Sequence, residues 1–186
     1  MFKGAEELRK ILILDGDKEL EELAELLEMQ QKLDESIYKE KGISKYPVNE
    51  VAIALIVELG ELMNEFPTKF KYWKSTAIDN REKGLEEYVD CLHFALNITN
   101  YLASVDLEDC INAYGFIEFL RYSKSDDCKA FSIDYVLGKI VDVEGSNYTL
   151  AYLFELGNKL GFTWKEIYKA YKEKNKVNYE RLQNGY

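Results

Sequence analysis

One histidine, two prolines and three cysteines are all that this 186-residue chain holds of those types, and each scarcity excludes something. A zinc centre draws on closely spaced cysteine and histidine. Here Cys91, Cys110 and Cys128 stand far apart, no CxxC occurs, and His93 is alone. The thiols therefore read as reduced and structural. With only Pro47 and Pro67 to interrupt it, the chain is free to form long helices. No uncharged apolar run reaches the ~18 residues that a membrane span needs. Ile11–Leu14, followed by Asp15, is too short for a signal-peptide apolar region, so a soluble cytoplasmic protein with no membrane partner is expected. Positive charge is also short: 24 Lys and Arg face 34 Asp and Glu, a net −10. That balance argues against a nucleic-acid partner, whose phosphates demand a basic surface. It leaves room for a small anionic substrate, because a bound metal inverts the local field.

What is present has helical period. Asp17 is a plausible N-cap for a helix to about Lys41, burying Leu20, Leu23, Leu27, Leu33 and Ile37, with Gly42 closing it. A second helix is expected after Pro47, capped by Asn49 and ending near Phe66–Pro67. A lysine- and aromatic-rich connector, Thr68–Lys74, leads to a helix over about Arg81–Ala103. Residues 104–148 carry helical patches such as Tyr114–Tyr122 and form a less diagnostic insertion. Helices over about Tyr148–Leu160 and Trp164–Leu182, the last capped by Thr163, complete a single all-α domain over residues 1–186.

Two acidic pairs stand out. Val51–Val57 is wholly apolar and runs into Glu58 and Glu61, which share a helical face. Some 25 residues on, Glu87 and Asp90 repeat the spacing. A single ExxE is usually a solvated helix face. Carboxylates set against an apolar run are costly unless paired or metal-bound, and two such pairs on two core helices point to a cation site between them. Four hard oxygen donors suit Mg²⁺, with Mn²⁺ as a substitute, and the ion's open positions suit phosphate. A di-iron bundle wants two Glu-x-x-His motifs, which one histidine cannot fill.

Beyond the acids, His93 and Phe94 continue the second acidic helix by one turn. His93 is either a satisfied core residue or a ligand-binding one. Trp73 lies in Phe70-Lys-Tyr-Trp-Lys74, where an indole suits a base and Lys71 or Lys74 suits phosphate, although core packing explains a tryptophan equally well. Lys174, Asn178 and Arg181 share one face of the last helix, either as a solvated basic tail or as a polyphosphate clamp.

Taken together, Glu58-Leu-Gly-Glu61, Phe70–Lys74, Glu87-Tyr-Val-Asp90 with His93-Phe94, Met29–Asp34, and Lys174-Asn…Asn178…Arg181…Gly185-Tyr186 resemble the dimeric all-α dUTPases, within the MazG-like NTP pyrophosphatases. The resemblance implies a homodimer that hydrolyses dUTP to dUMP and pyrophosphate with Mg²⁺. It implies that Glu58, Glu61, Glu87 and Asp90 bind metal, and that Glu58, or else Glu61, orients the attacking water. Gln30, Asp34, Trp73 and His93 would contact the base, and Phe94 would pack against the sugar. Lys71 or Lys74, with Lys174, Asn178 and Arg181, would hold phosphates. Asp34 puts a carboxylate where an amide would be the simplest reader of uracil. The alternatives are a pyrophosphatase acting on dCTP, dUDP or a modified nucleotide, and a non-catalytic helical interaction protein.

Overall fold

The computed structural model describes residues 3–14, 16–105, 131–142 and 148–185, and among these it contains seven α-helices and no strand. They are α1 (Lys3–Leu14), α2 (Lys18–Lys41), α3 (Val48–Asn64), α4 (Arg81–Val105), α5 (Ile133–Val141), α6 (Thr149–Lys159) and α7 (Trp164–Gln183), with a 3₁₀ turn at Pro67–Lys69. The all-α expectation holds. The patch expected at Tyr114–Tyr122 lies outside the described residues; of 104–148 the described residues are 104–105, 131–142 and 148, which include α5.

Helix α4 is the hub, packing against α1, α2, α3, α6 and α7. Its sequence explains this, since Tyr88, Val89, Cys91, Leu92, Ala95 and Leu96 are buried on several sides rather than along one stripe. Burial pushes the Cys91 thiol well above its ordinary range, which keeps it protonated and inert.

Helix α2 begins and ends where its caps dictate. Asp17 accepts from the Glu19 N–H at 2.8 Å. Gly42 takes the left-handed conformation at φ 66° and donates its N–H to the Tyr38 carbonyl. Leu20, Leu23, Leu27 and Leu33 are buried as the period requires, and Ile37 is half-buried. Helix α3 departs from expectation in two ways. It starts at Val48, with Pro47 in the capping position and no side-chain cap, so Asn49 lies inside the first turn. Its apolar run also divides: Val51, Leu55, Leu59 and Leu62 enter the core, while Ile53, Ile56 and Val57 stay 49–62% exposed.

Close approach fixes the turn between α3 and α4. A Cβ on Gly84 would stand 2.4 Å from the buried Phe66 ring, so only glycine admits that packing. The connector is closed by Asp79, whose carboxylate accepts from the Thr68 N–H at 3.0 Å and hydroxyl at 2.6 Å. At the other end of the bundle α7 opens with a capping box between Thr163 and Glu166. Arg81, at the start of α4, donates to the Glu166 carboxylate at 2.9 Å and the Gly161 carbonyl at 2.7 Å. That guanidinium holds Glu166 down to about 2. Helix α7 is docked along α2 by Trp164 donating to Glu22 at 2.6 Å and by Lys172 on Glu25 at 2.7 Å.

Candidate active site

Helices α3 and α4 bring three carboxylates together. Glu58 and Glu61 from α3 and Glu87 from α4 each offer an oxygen, and the three oxygens lie within 4.8 Å of one another. The pairing follows from register: both motifs face the α3–α4 contact one turn apart on their own helices. Crowding like charges at a half-buried position is costly. Desolvation, followed by the charges of Asp90 and Glu61, raises Glu87 above the ordinary carboxylate range; Glu58 is raised by desolvation, then by Asp90, Glu61 and Glu87. A donor set of oxygens alone, close together and mutually repelling, fits a hard divalent cation.

Two lysines supply part of the missing positive charge. Lys174 of α7 contacts the Asp90 carboxylate at 2.6 Å. Lys83 lies 3.1 Å from Glu65 and 3.8 Å from Glu87. Asp90 thus stands at the edge of the acidic group with an ammonium as its counter-ion, and the close trio is Glu58, Glu61 and Glu87.

One turn beyond Asp90 a second, largely uncharged group is buried between α2, α4 and α7. The Gln30 carbonyl oxygen accepts from Tyr171 at 2.8 Å and meets His93 Nδ1 at 2.7 Å. The amide nitrogen of Gln30 donates to Asp34 at 2.7 Å. Tyr171 stacks on the imidazole, with ring centroids 4.4 Å apart. Behind Asp34, Asn97 accepts from Tyr46 at 2.7 Å and donates to Tyr38 at 3.1 Å. Burial pushes Asp34 up to about 7, against hydrogen bonds from Asn97 and Gln30 that favour its ionised form. Burial drives His93 down to about 3, with Lys174 nearby adding to the effect. The imidazole is therefore neutral at physiological pH. Asn178 Nδ2 lies 3.5 Å from His93 Nε2.

The structure thus brings Glu58, Glu61 and Glu87 into one group and Gln30, Asp34, His93 and Asn178 into another, with Asp90 and Lys174 at the join. Phe94 is half-buried against the core on α4. The basic connector shows no hydrogen bond or ion pair to either group among the described residues. Trp73 is 67% exposed, with edge contacts to Phe70 and Tyr72, and Lys71 rests over the Phe70 ring. Lys74 is exposed there, as is Arg181 near the end of α7.

Sequence reasoning did not single out Tyr171, Asn97 or Lys83. The first two carry a signal in hindsight: Tyr171 lies seven residues before Asn178, and Asn97 four after His93, so each shares a helical face with a named residue.

A family model described as dUTPase matches residues 22–186. No curated protein matches the chain.

Proposed function

Because the chain belongs to the all-α dUTPase family, we propose that it is a Mg²⁺-dependent, homodimeric cytoplasmic enzyme that cleaves dUTP to dUMP and pyrophosphate. The observation that carries this is the arrangement along α4. Glu87 faces two further carboxylates, and six residues on, about 9 Å along the axis, His93 sits in a buried group of neutral donors and acceptors. A helix with a cation-binding end and a polar hydrogen-bonding end suits a nucleoside polyphosphate.

On this proposal Glu58, Glu61, Glu87 and Asp90 hold Mg²⁺, with Mn²⁺ able to substitute. When bound, the ion neutralises phosphate charge and lowers the pKa of coordinated water. Glu58 orients the attacking water and takes its proton as the bond between the α- and β-phosphates breaks. Of the two α3 acids Glu58 is the half-buried one and Glu61 the exposed one, which favours Glu58 as the base; Glu61 is the competing choice. Lys174, now on Asp90, would be free to turn to phosphate if a cation were held at that carboxylate, and Asn178, Arg181 and Lys71 or Lys74 would share the phosphate charge. Gln30, His93 and Asp34 form the base end, Trp73 stacks on the base, and Phe94 packs where a 2′-hydroxyl would clash.

The dimer has its own support. Ile53, Ile56 and Val57 lie three and four apart on α3 and form an exposed apolar stripe. A second copy of the chain covers it, so the two metal-binding helices meet at the interface. No helix among the described residues is long and apolar enough to cross a membrane.

The test is pyrophosphate release from dUTP, dCTP, dTTP and UTP, with Mg²⁺ or with chelator. Metal-dependent release from dUTP in preference to UTP is expected, and no release from any of them would sink the proposal. A second reading, dCTP as substrate, rests on the Asp34 carboxylate and is decided by kcat/KM for the two bases. A non-catalytic interaction protein would show no thermal shift with Mg²⁺ and a nonhydrolysable dUTP analogue.

A further inference from the structure

The buried group contains a chain of hydrogen bonds whose polarity is set at one end. A carboxylate accepts on both oxygens, and when ionised it donates nothing. Asp34 receives the Gln30 amide nitrogen at 2.7 Å on Oδ1, and the Asn97 side chain is a second group that favours its ionised form. The Gln30 amide therefore points its nitrogen at Asp34 and its oxygen at His93 and Tyr171. A carbonyl oxygen only accepts, so the imidazole nitrogen facing it at 2.7 Å carries the proton. The other nitrogen, Nε2, then carries a lone pair, and its described neighbour is a donor, the Asn178 amide, at the outer limit of hydrogen-bond distance, 3.5 Å. Stacking on Tyr171 holds the ring in place.

We propose that Asp34 is a positioning residue: through Gln30 it holds His93 in the tautomer with the proton on Nδ1, so that Nε2 selects a base presenting an N–H donor over one presenting a lone pair. This rests on the nucleotide-hydrolase reading above and names its selectivity. Uracil offers an imide N–H at its pairing edge, whereas cytosine offers a bare ring nitrogen that would meet the lone pair of Nε2. The Asp34 oxygen that faces the group is already taken by the Gln30 amide, so Asp34 acts on a base through Gln30 rather than directly. Three residues before Asn178 on α7, Asn175 is 4% exposed and its Nδ2 has no hydrogen-bond partner among the described residues. A buried donor without an acceptor is costly, and a base carbonyl next to the imide N–H is the chemistry that would relieve it.

A single histidine makes the test direct, because a long-range ¹H–¹⁵N spectrum reports on His93 alone. At about pH 8.5, where Asp34 is ionised, the unaltered protein is expected to show a protonated Nδ1 and a bare Nε2. In Asp34→Leu the Gln30 amide loses its director, so the two nitrogen signals move toward each other. The kcat/KM ratio of dUTP to dCTP falls by about tenfold or more, the scale of one oriented hydrogen bond. Asp34→Asn keeps one acceptor oxygen but adds an N–H₂ donor, so the Gln30 amide can take either orientation, and it gives an intermediate spectrum and ratio. A folded Asp34→Leu with an unchanged histidine spectrum, or with an unchanged ratio, overturns the proposal. Should Asp34→Leu not fold, Asp34→Asn decides, and a spectrum identical to that of the unaltered protein overturns it. If no nucleotide is hydrolysed at all, the enzymatic reading fails while the spectrum still tests the Asp34–Gln30–His93 chain.

Discussion

Asp34 and His93 are linked to folding with opposite signs, and replacing one should uncover the other. Asp34 titrates at about 7 in the folded protein against an ordinary 3.8. Between those values the native state holds a proton that the unfolded chain has lost, so stability falls as pH rises from 3.8 to about 7 and is flat above. At ~1.4 kcal/mol per pH unit the total is roughly 4 kcal/mol. His93 goes the other way. Its folded value of about 3 lies below the ordinary 6.5, so the unfolded chain binds the extra proton and stability falls as pH drops from 6.5 to about 3. The slopes nearly cancel from about pH 4 to 6.5. Asp34→Asn removes one of them. Urea unfolding followed by far-UV circular dichroism, in chelator across that pH series, should show the variant gaining roughly 4 kcal/mol on the parent between about pH 4 and 7. Carboxylates elsewhere titrate alike in both proteins and drop out of the difference. Parallel curves, separated by a constant, would refute the burial argument for Asp34.

Three further outcomes are expected. Glu61→Gln should lower dUTP turnover at least ~100-fold, as removal of a metal ligand or base does. In chelator it should match or exceed the parent's stability, because it relieves repulsion among the clustered carboxylates; full activity would show the cation site to be misassigned. Gly84→Ala should destabilise by about 1–3 kcal/mol, since its Cβ meets the Phe66 ring at 2.4 Å, and an unchanged urea midpoint would contradict that packing. Val57→Glu places a charge in the exposed α3 stripe and should shift the mass measured by light scattering from dimer to monomer; a monomeric parent would end the dimer proposal.

Local chemistry was legible in the sequence wherever one residue settles it. Asp17 and Gly42 bound α2 because a side-chain cap and a left-handed glycine act within a few residues, and Thr163 with Glu166 does the same for α7. The two ExxE-type spacings pointed to four clustered carboxylates; Glu58, Glu61 and Glu87 do come together, whereas Asp90 pairs with Lys174, a partner 84 positions away that no local spacing encodes. Other features depend on tertiary context. Asn49 resembled a cap, but the helix starts one residue earlier, at Val48. The run Val51–Val57 gave no sign that Ile53, Ile56 and Val57 would stay on the surface, since an all-apolar stretch has no period to divide. The bonds Tyr46–Asn97 and Tyr171–Gln30 join residues 51 and 141 positions apart, and no local pattern encodes such a partner.

Charge explains why the two halves of the site need each other. At net −10 the chain repels a nucleotide triphosphate at long range, and the clustered acids add to that repulsion where the phosphates would lie. Lys83 and Lys174 offset it only in part, and both are already engaged with carboxylates. On the proposed function a divalent ion would supply the missing attraction by inverting the local field, and Lys174 would then be free to leave Asp90. The proposed base end, by contrast, carries one buried carboxylate, Asp34, and, among the described residues, no cation. His93 is held neutral by burial, so its contribution to recognition depends on which ring nitrogen carries the proton. Affinity should then fall steeply when the ion is removed, while preference between bases stays with the Asp34–Gln30–His93 chain.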